Sequence, residues 1–306
     1  MSASFDLRRL ESVQLVPPTP FSSDCREVAP ERLSALVQEL AGAGIRVFLP
    51  GAGTGEFHSL SAEEVVTCVR ATREAAGPEG VVMAPIGMGV GHSLAIARPA
   101  LEAGADVLLL MPPIHPYLAD DGFRDYFLAI TDAVGVPILA YKRGPVPSDD
   151  LLVALAGEGR LLGVKYAVND LNQFTRFADR VAGRTGLYCG TAERWAPFFA
   201  LAGATGYTSG AGILCPRLTL RLHAAIARAD HGEAFRLLRL IRPIEDFRAR
   251  DGDSFNITLL KYGLQLCGHD FGPPRPPQRR LTLEQEATAR AVIEPVLAAE
   301  AALRDT

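Results

Sequence analysis

Eight short apolar runs punctuate residues 12–209, and between them the chain takes on a mixed apolar and polar pattern that reads as helix. The runs cover 12–16, 45–49, 81–86, 106–111, 136–141, 161–165, 186–189 and 206–209. Their starts lie 20 to 36 residues apart, room each time for one crossover helix. Most are apolar nearly throughout, as in VFLP (47–50), VLLLMPP (107–113) and VPILAY (136–141). Continuous rather than alternating apolarity marks parallel strands covered on both faces.

The helical stretches carry their own punctuation. Ser61-Ala62-Glu63-Glu64 reads as a capping box, with Ser61 as N-cap and Glu64 as the third helical residue. Ala-Gly-Ala recurs at 41–43, 103–105 and 202–204, each time between a helical pattern and a strand. Glycine there permits the left-handed conformation that ends a helix. Eight βα units predict an α/β fold, a (β/α)8 TIM barrel, with a doubly wound open sheet as the alternative. Beyond Pro216 the pattern is helical over 218–229, 232–247, 254–266 and 283–302. The first of these closes the eighth unit. The barrel is therefore expected over 1–229 and a C-terminal helical extension, packed on the barrel, over 230–306. The Pro-rich stretch 272–277 reads as a loop before the last helix.

Composition narrows the function classes. The 306 residues carry 31 Lys+Arg against 35 Asp+Glu, a formal charge of −4. With no lysine-rich run, neither nucleic acid nor an anionic membrane is expected as the main partner. A small anionic metabolite needs only one local cation and stays open. Five cysteines, at 25, 68, 189, 215 and 267, form no C-x-x-C pair. They show neither zinc spacing nor a disulfide framework and read as free thiols of a reducing compartment. MSASFDLRRLESV lacks the apolar core of a signal peptide, and no apolar run approaches the ~18 residues of a membrane span. A cytoplasmic protein is the expectation.

In a barrel the chemistry lies at the C-terminal ends of the strands. None of those ends offers Asp, Glu or His, so no catalytic metal is expected. Lys165 stands out, because it ends the run Leu161-Leu162-Gly163-Val164 with the parity of Gly163. Pointing inward, it enters a confined mouth that favours the neutral amine, the form that attacks a carbonyl. Pointing past the strand end, its head simply reaches water. Tyr141 ends the preceding strand and offers a hydroxyl to shuttle protons, or an aromatic ring to fill the barrel top. The loop Gly51-Ala52-Gly53-Thr54-Gly55-Glu56 presents backbone N–H groups suited to a carboxylate. Gly190 and Ser209-Gly210-Ala211-Gly212 follow strands 7 and 8, where phosphate-binding barrels hold their ligand.

Together, GTGEFHSL (53–60), YKR (141–143), GVK (163–165) and GYTSG (206–210) resemble the dihydrodipicolinate synthase / N-acetylneuraminate lyase family of class I aldolases. The resemblance runs from the first strand to the last helix. It implies an imine between Lys165 and a 2-oxo acid such as pyruvate, with no other cofactor, Tyr141 as proton shuttle, and Thr54 with Gly53 holding the carboxylate. Gly190, Thr208 and Ser209 would line the pocket. Glu193 falls where the lyase branch holds sugar hydroxyls, or it is an exposed residue of a helix's first turn. The family also implies a homo-oligomer, a dimer or tetramer. Position 53 is glycine where synthases carry threonine, Lys142 stands where they carry asparagine, and Pro113 is followed by Ile114-His115 rather than by two tyrosines. GTGEF and YxR look more like the 5-dehydro-4-deoxyglucarate dehydratase branch, which decarboxylates and dehydrates a sugar diacid. Arg143, with Lys142 beside it, would then meet the far carboxylate. Synthase-type condensation of pyruvate with an aldehyde is the alternative, and a non-catalytic barrel binding a 2-oxo acid or phosphate is the reading of another class.

Overall fold

The computed structural model describes residues 5–304. Eight strands, β1 (Val13–Leu15), β2 (Val47–Phe48), β3 (Val81–Ile86), β4 (Val107–Leu110), β5 (Ile138–Lys142), β6 (Leu161–Tyr166), β7 (Gly186–Cys189) and β8 (Gly206–Ser209), close in that order into one barrel. Every pairing is parallel, β1 with β8 included. The crossovers are α1 (Pro30–Gly42), α2 (Ala62–Ala76), α3 (Val90–Glu102), α4 (Asp120–Val134), α5 (Asp149–Gly157), α6 (Leu171–Val181) and α7 (Ala196–Leu201), and α8 (Pro216–Ala227) follows β8. After these come α9 (His231–Arg248), a short turn α10 (Arg250–Asp253), α11 (Thr258–Leu266) and α12 (Leu283–Ala301). The (β/α)8 barrel is the expected fold, and the open sheet is excluded. Strands β1 and β2 are shorter than the apolar runs that predict them, whereas β5 and β6 each run one residue further.

Local signals act largely as expected. The Ser61–Glu64 capping box forms with both of its hydrogen bonds. Gly104 and Gly203 take left-handed φ angles of 96° and 106° after their helices. In the first Ala-Gly-Ala, however, Gly42 stays inside α1 and Gly44 makes the left-handed turn at φ 106°. Helix α1 continues one residue longer because a second glycine is available two positions on. The stretch read as one helix over 254–266 starts only at Thr258. Residues 251–253 all adopt left-handed angles, which breaks the chain's helical course after α9.

Strand register decides which side chains face the barrel's interior. Paired positions on neighbouring parallel strands point the same way. Lys142, Tyr166, Cys189 and Tyr207 form one such row. Tyr166 lies against Phe174, Phe177 and Phe199 of α6 and α7, and the Tyr207 hydroxyl donates to the Thr219 carbonyl of α8 at 2.8 Å. That row faces the helices. The alternate row, Tyr141, Lys165 and Tyr188, with Thr208 next on β8, therefore faces inward.

The last quarter of the chain shares the barrel's core. Helix α9 buries Leu237, Leu238, Ile241 and Ile244, and α12 buries Ala289, Ile293 and Val296. Buried Glu300 of α12 accepts from the Arg217 and Leu218 amides at 3.0 and 2.9 Å, placing a carboxylate on the N-terminus of α8.

Candidate active site

Lys165 enters the barrel mouth from β6 and is 4% exposed. Its Nζ stands 4.0 Å from the centre of the Tyr141 ring, so the two register partners meet across adjacent strands. Burial, helped by the positive charges of Arg143 and Arg248, lowers the lysine to about 7. A large share of the amine is thus neutral at neutral pH. Burial pushes the Tyr141 hydroxyl up, with Asp253 adding to the effect, so it stays protonated and able to donate. Gly190 packs close on the Lys165 stem, where a Cβ would lie 3.1 Å from its Cγ. Imine formation should accordingly rise with pH through about 7 and level off above it, as the ammonium gives way to the amine. Borohydride-trapping rates between pH 5.5 and 9.5 measure this, and a rise centred near the ordinary lysine value would contradict it.

The glycine-rich loop after β2 closes another side of the mouth. Gly53 is exposed and Thr54 beside it is buried. The Thr54 hydroxyl accepts from Arg248 Nη2 and donates to Asn256 Oδ1, both at 3.4 Å. Arg248 is buried at the end of α9, where it pairs with Glu245 at 2.5 Å and donates to the side chain of Asn256. Its guanidinium lies over Gly210, and a Cβ there would overlap it. Beneath the same loop, Glu56 takes a left-handed φ of 64° and turns its carboxylate inward. Lys261 Nζ pairs with it at 2.8 Å and the Arg275 amide donates to it at 2.8 Å. Arg275 then grips both Glu64 carboxylate oxygens, at 2.6 and 2.8 Å. The Pro-rich loop read as a connector is thus a clamp on the site.

Alternation along the strands separates the remaining candidates. Thr208 belongs to the inner row, whereas Ser209, expected in the pocket, faces the helices and donates to Glu193 at 2.5 Å. Glu193 is neither an open sugar ligand nor exposed. It is wholly buried, accepts also from Thr219 at 2.8 Å, and is pushed up to about 7 by burial and the nearby Glu245. Lys142 likewise turns away from the mouth, donating to the Pro147 carbonyl at 2.7 Å and lying 3.4 Å from Asp149. Arg143 stays at the mouth, where its charge reaches Lys165 and His58, and pairs with Asp253 at 2.9 Å. Two of the amides suited to phosphate after β8 are already occupied, Ala211 N by Glu245 and Gly212 N by Ser209.

Residues 245–256 were invisible as a site in the sequence. Glu245 falls inside the helix expected over 232–247 and Arg248 one residue beyond it, whereas α9 runs to Arg248 and pairs the two, and no strand end announces either. Among the described residues no group of His, Cys, Asp or Glu is arranged to hold a metal, and no helix is long and apolar enough to cross a membrane. All five cysteines are free, with Cys68, Cys189 and Cys215 buried and Cys267 exposed.

The dihydrodipicolinate synthetase family model matches residues 10–296. A probable 5-dehydro-4-deoxyglucarate dehydratase of Rhizobium rhizogenes is 31% identical over 86% of this chain and 88% of its own. A protein of the same description from Streptomyces coelicolor is 32% identical over 82% of each. Among solved structures, dihydrodipicolinate synthase from Oceanobacillus iheyensis superposes with a TM-score of 0.90 at 30% identity, over 94% of this chain and 96% of its own. The wild-type sialic acid aldolase of Ruminococcus gnavus shares the fold, with a TM-score of 0.87 at 18% identity over 96% of this chain and 99% of its own.

Proposed function

The chain belongs to the dihydrodipicolinate synthetase family, and on that footing we propose that it is a Schiff-base lyase that dehydrates a sugar-derived 2-oxo diacid of the 5-dehydro-4-deoxyglucarate type. The observation that carries this reading is the buried Lys165 amine, lowered to about 7 and set 4.0 Å from the Tyr141 ring. The neutral amine adds to the 2-oxo carbon, and loss of one water leaves an imine. Tyr141 donates the proton that lets this water depart. The imine draws electrons from the neighbouring C–H bond. Loss of that proton gives an enamine, which expels the hydroxyl one carbon further along, and the proton lost from carbon completes a second water. The far carboxylate then leaves as carbon dioxide, its bonding electrons passing through the conjugated chain into the same imine, and after protonation at carbon, water added at the imine carbon frees the Lys165 amine. The imine is itself the electron sink, so the chemistry calls for no metal or other cofactor.

The pocket residues take roles that follow their placement. Thr54, fixed by Arg248 and Asn256, and the Gly53 amide hold the carboxylate beside the imine. Gly190 leaves room at the lysine stem and Thr208 lines the inner wall. Arg143 takes the far carboxylate. Glu193 and Ser209 serve as wall rather than as ligands. A homo-oligomer is part of the proposal, supported by the exposed Ile114 and Tyr117 on the loop after β4.

Borohydride trapping with a panel of 2-oxo acids, read by intact mass, tests the reading. Pyruvate and a six-carbon 2-oxo diacid should each add the mass of the reduced adduct, and the wild-type protein left unmodified by both would refute it. Measured at about pH 9, where burial keeps the Lys165 amine neutral with or without the Arg143 charge, Arg143→Ala should weaken trapping of the diacid roughly tenfold to a hundredfold while leaving pyruvate nearly intact. Equal loss for both acids would make Arg143 structural. Efficient turnover of pyruvate with aspartate semialdehyde would select condensation instead.

A further inference from the structure

The C-terminal extension sends one exposed carboxylate to the mouth, and its position is unusual. Asp253 Oδ2 lies 2.9 Å from Arg143 Nη2, with the two side chains 47% and 56% exposed. It is brought there by three successive left-handed residues, Asp251 at φ 49°, Gly252 at 67° and Asp253 at 66°. Two of the three are not glycine, a backbone that the surrounding structure must hold in place. Anchors on either side do so. Before the turn, Arg248 is tied to Glu245 and Thr54, and after it Asn256 receives the Thr54 hydroxyl. The carboxylate acts on the site as a charge, raising the Tyr141 hydroxyl while Arg143 opposes it.

We propose that Asp253 is a specificity-determining residue: its carboxylate occupies on Arg143 the place that the far carboxylate of a diacid takes, so that a diacid binds by exchange and a monoacid leaves the pair closed. The inference rests on the reading of Arg143 as the far-end ligand. The geometry suits exchange. An ion pair between two half-exposed side chains is weakly held and screened by solvent, so a second carboxylate displaces it at small cost. Arg248 cannot play the same part, because its partners Glu245 and Asn256 are packed beneath it and its side chain is buried. Lys142 faces the helices. Arg143 is thus the mouth cation that a ligand reaches, and Asp253 neutralises it when no diacid is present. Pyruvate, with its one carboxylate at Thr54, neither opens the pair nor gains from its removal.

The test uses the full chain, with 2-oxoadipate and pyruvate as probes and borohydride trapping at Lys165 as readout. Asp253→Asn keeps the side-chain shape and tolerates the left-handed backbone. It should lower the half-saturating 2-oxoadipate concentration roughly two- to fivefold and leave that of pyruvate unchanged. Adding Arg143→Ala to Asp253→Asn should erase the gain. A merely structural Asp253 would weaken trapping of both acids, and selective tightening for the diacid is not open to it. Unchanged or weaker 2-oxoadipate trapping in Asp253→Asn, with wild-type trapping of both acids normal, overturns the proposal alone. Absence of any adduct in the wild-type protein overturns the imine reading and this inference with it.

Discussion

Lys165→Ala is expected to abolish the reducible adduct with every 2-oxo acid and to lower turnover at least about a thousandfold. The magnitude follows from what the residue supplies. Without a primary amine in the mouth no covalent imine forms, and the electron sink for the neighbouring carbon disappears. Tyr141 cannot replace it, since burial holds its hydroxyl protonated. The neighbouring cations Lys142 and Lys261 are both engaged elsewhere, with the Pro147 and Pro273 carbonyls respectively. Intact mass after borohydride, followed by peptide mapping, checks the result. An adduct persisting in Lys165→Ala would place the chemistry on another lysine.

Lys261→Met should destabilise the fold by about 3–5 kcal/mol, the cost of leaving one member of a buried ion pair without its partner. Glu56 is the group left behind, nearly inaccessible to solvent and already pushed upward by burial, with Lys261 its leading counter-charge. Protonating Glu56 recovers part of the loss, so the deficit should shrink as the pH falls. Denaturant midpoints at pH 5 and pH 8 measure both effects. The Glu56→Gln/Lys261→Met pair of substitutions should be milder than Lys261→Met alone, because no buried charge is then uncompensated. A single-variant cost under about 1 kcal/mol would mean that solvent reaches Glu56 and that the clamp is loose.

The barrel was legible because parallel strands buried on both faces are written as uninterrupted apolar runs, each long enough to find. Lys165 and Tyr141 were legible for the opposite reason, as polar endings on such runs. Alternation along a strand separates residues that the motifs group together. Thr208 and Ser209 are neighbours on β8 and cannot both face the mouth, and the same holds for Tyr141 and Lys142 on β5. Thr208 and Tyr141 keep the inner positions. Which parity faces inward is fixed by pairing around the closed sheet, and pairing is not written in any one strand. Arg248, Asp253 and Asn256 were out of reach altogether. They meet Thr54 and Arg143 from positions more than a hundred residues away in sequence, through a helix end and a left-handed turn that leave no periodic signature.

The clasp of Glu300 on the first turn of α8, together with the grip of Arg275 on Glu64, also sets an order of events during synthesis. A chain growing at roughly 5–20 residues per second presents all eight strands, Lys165 among them, several seconds before the residues that seal the mouth leave the ribosome. During that interval the nascent barrel lacks the counter-charge to Glu56 and the partner of Thr54. The loop that carries Thr54 and Glu56 is therefore fixed last, by the arrival of Arg248, Asn256, Lys261 and Arg275. A stop codon shortly before residue 248 would leave the barrel strands and both mouth residues intact in sequence, yet yield a protein in which Thr54 lacks Arg248 and Asn256 and Glu56 lacks Lys261.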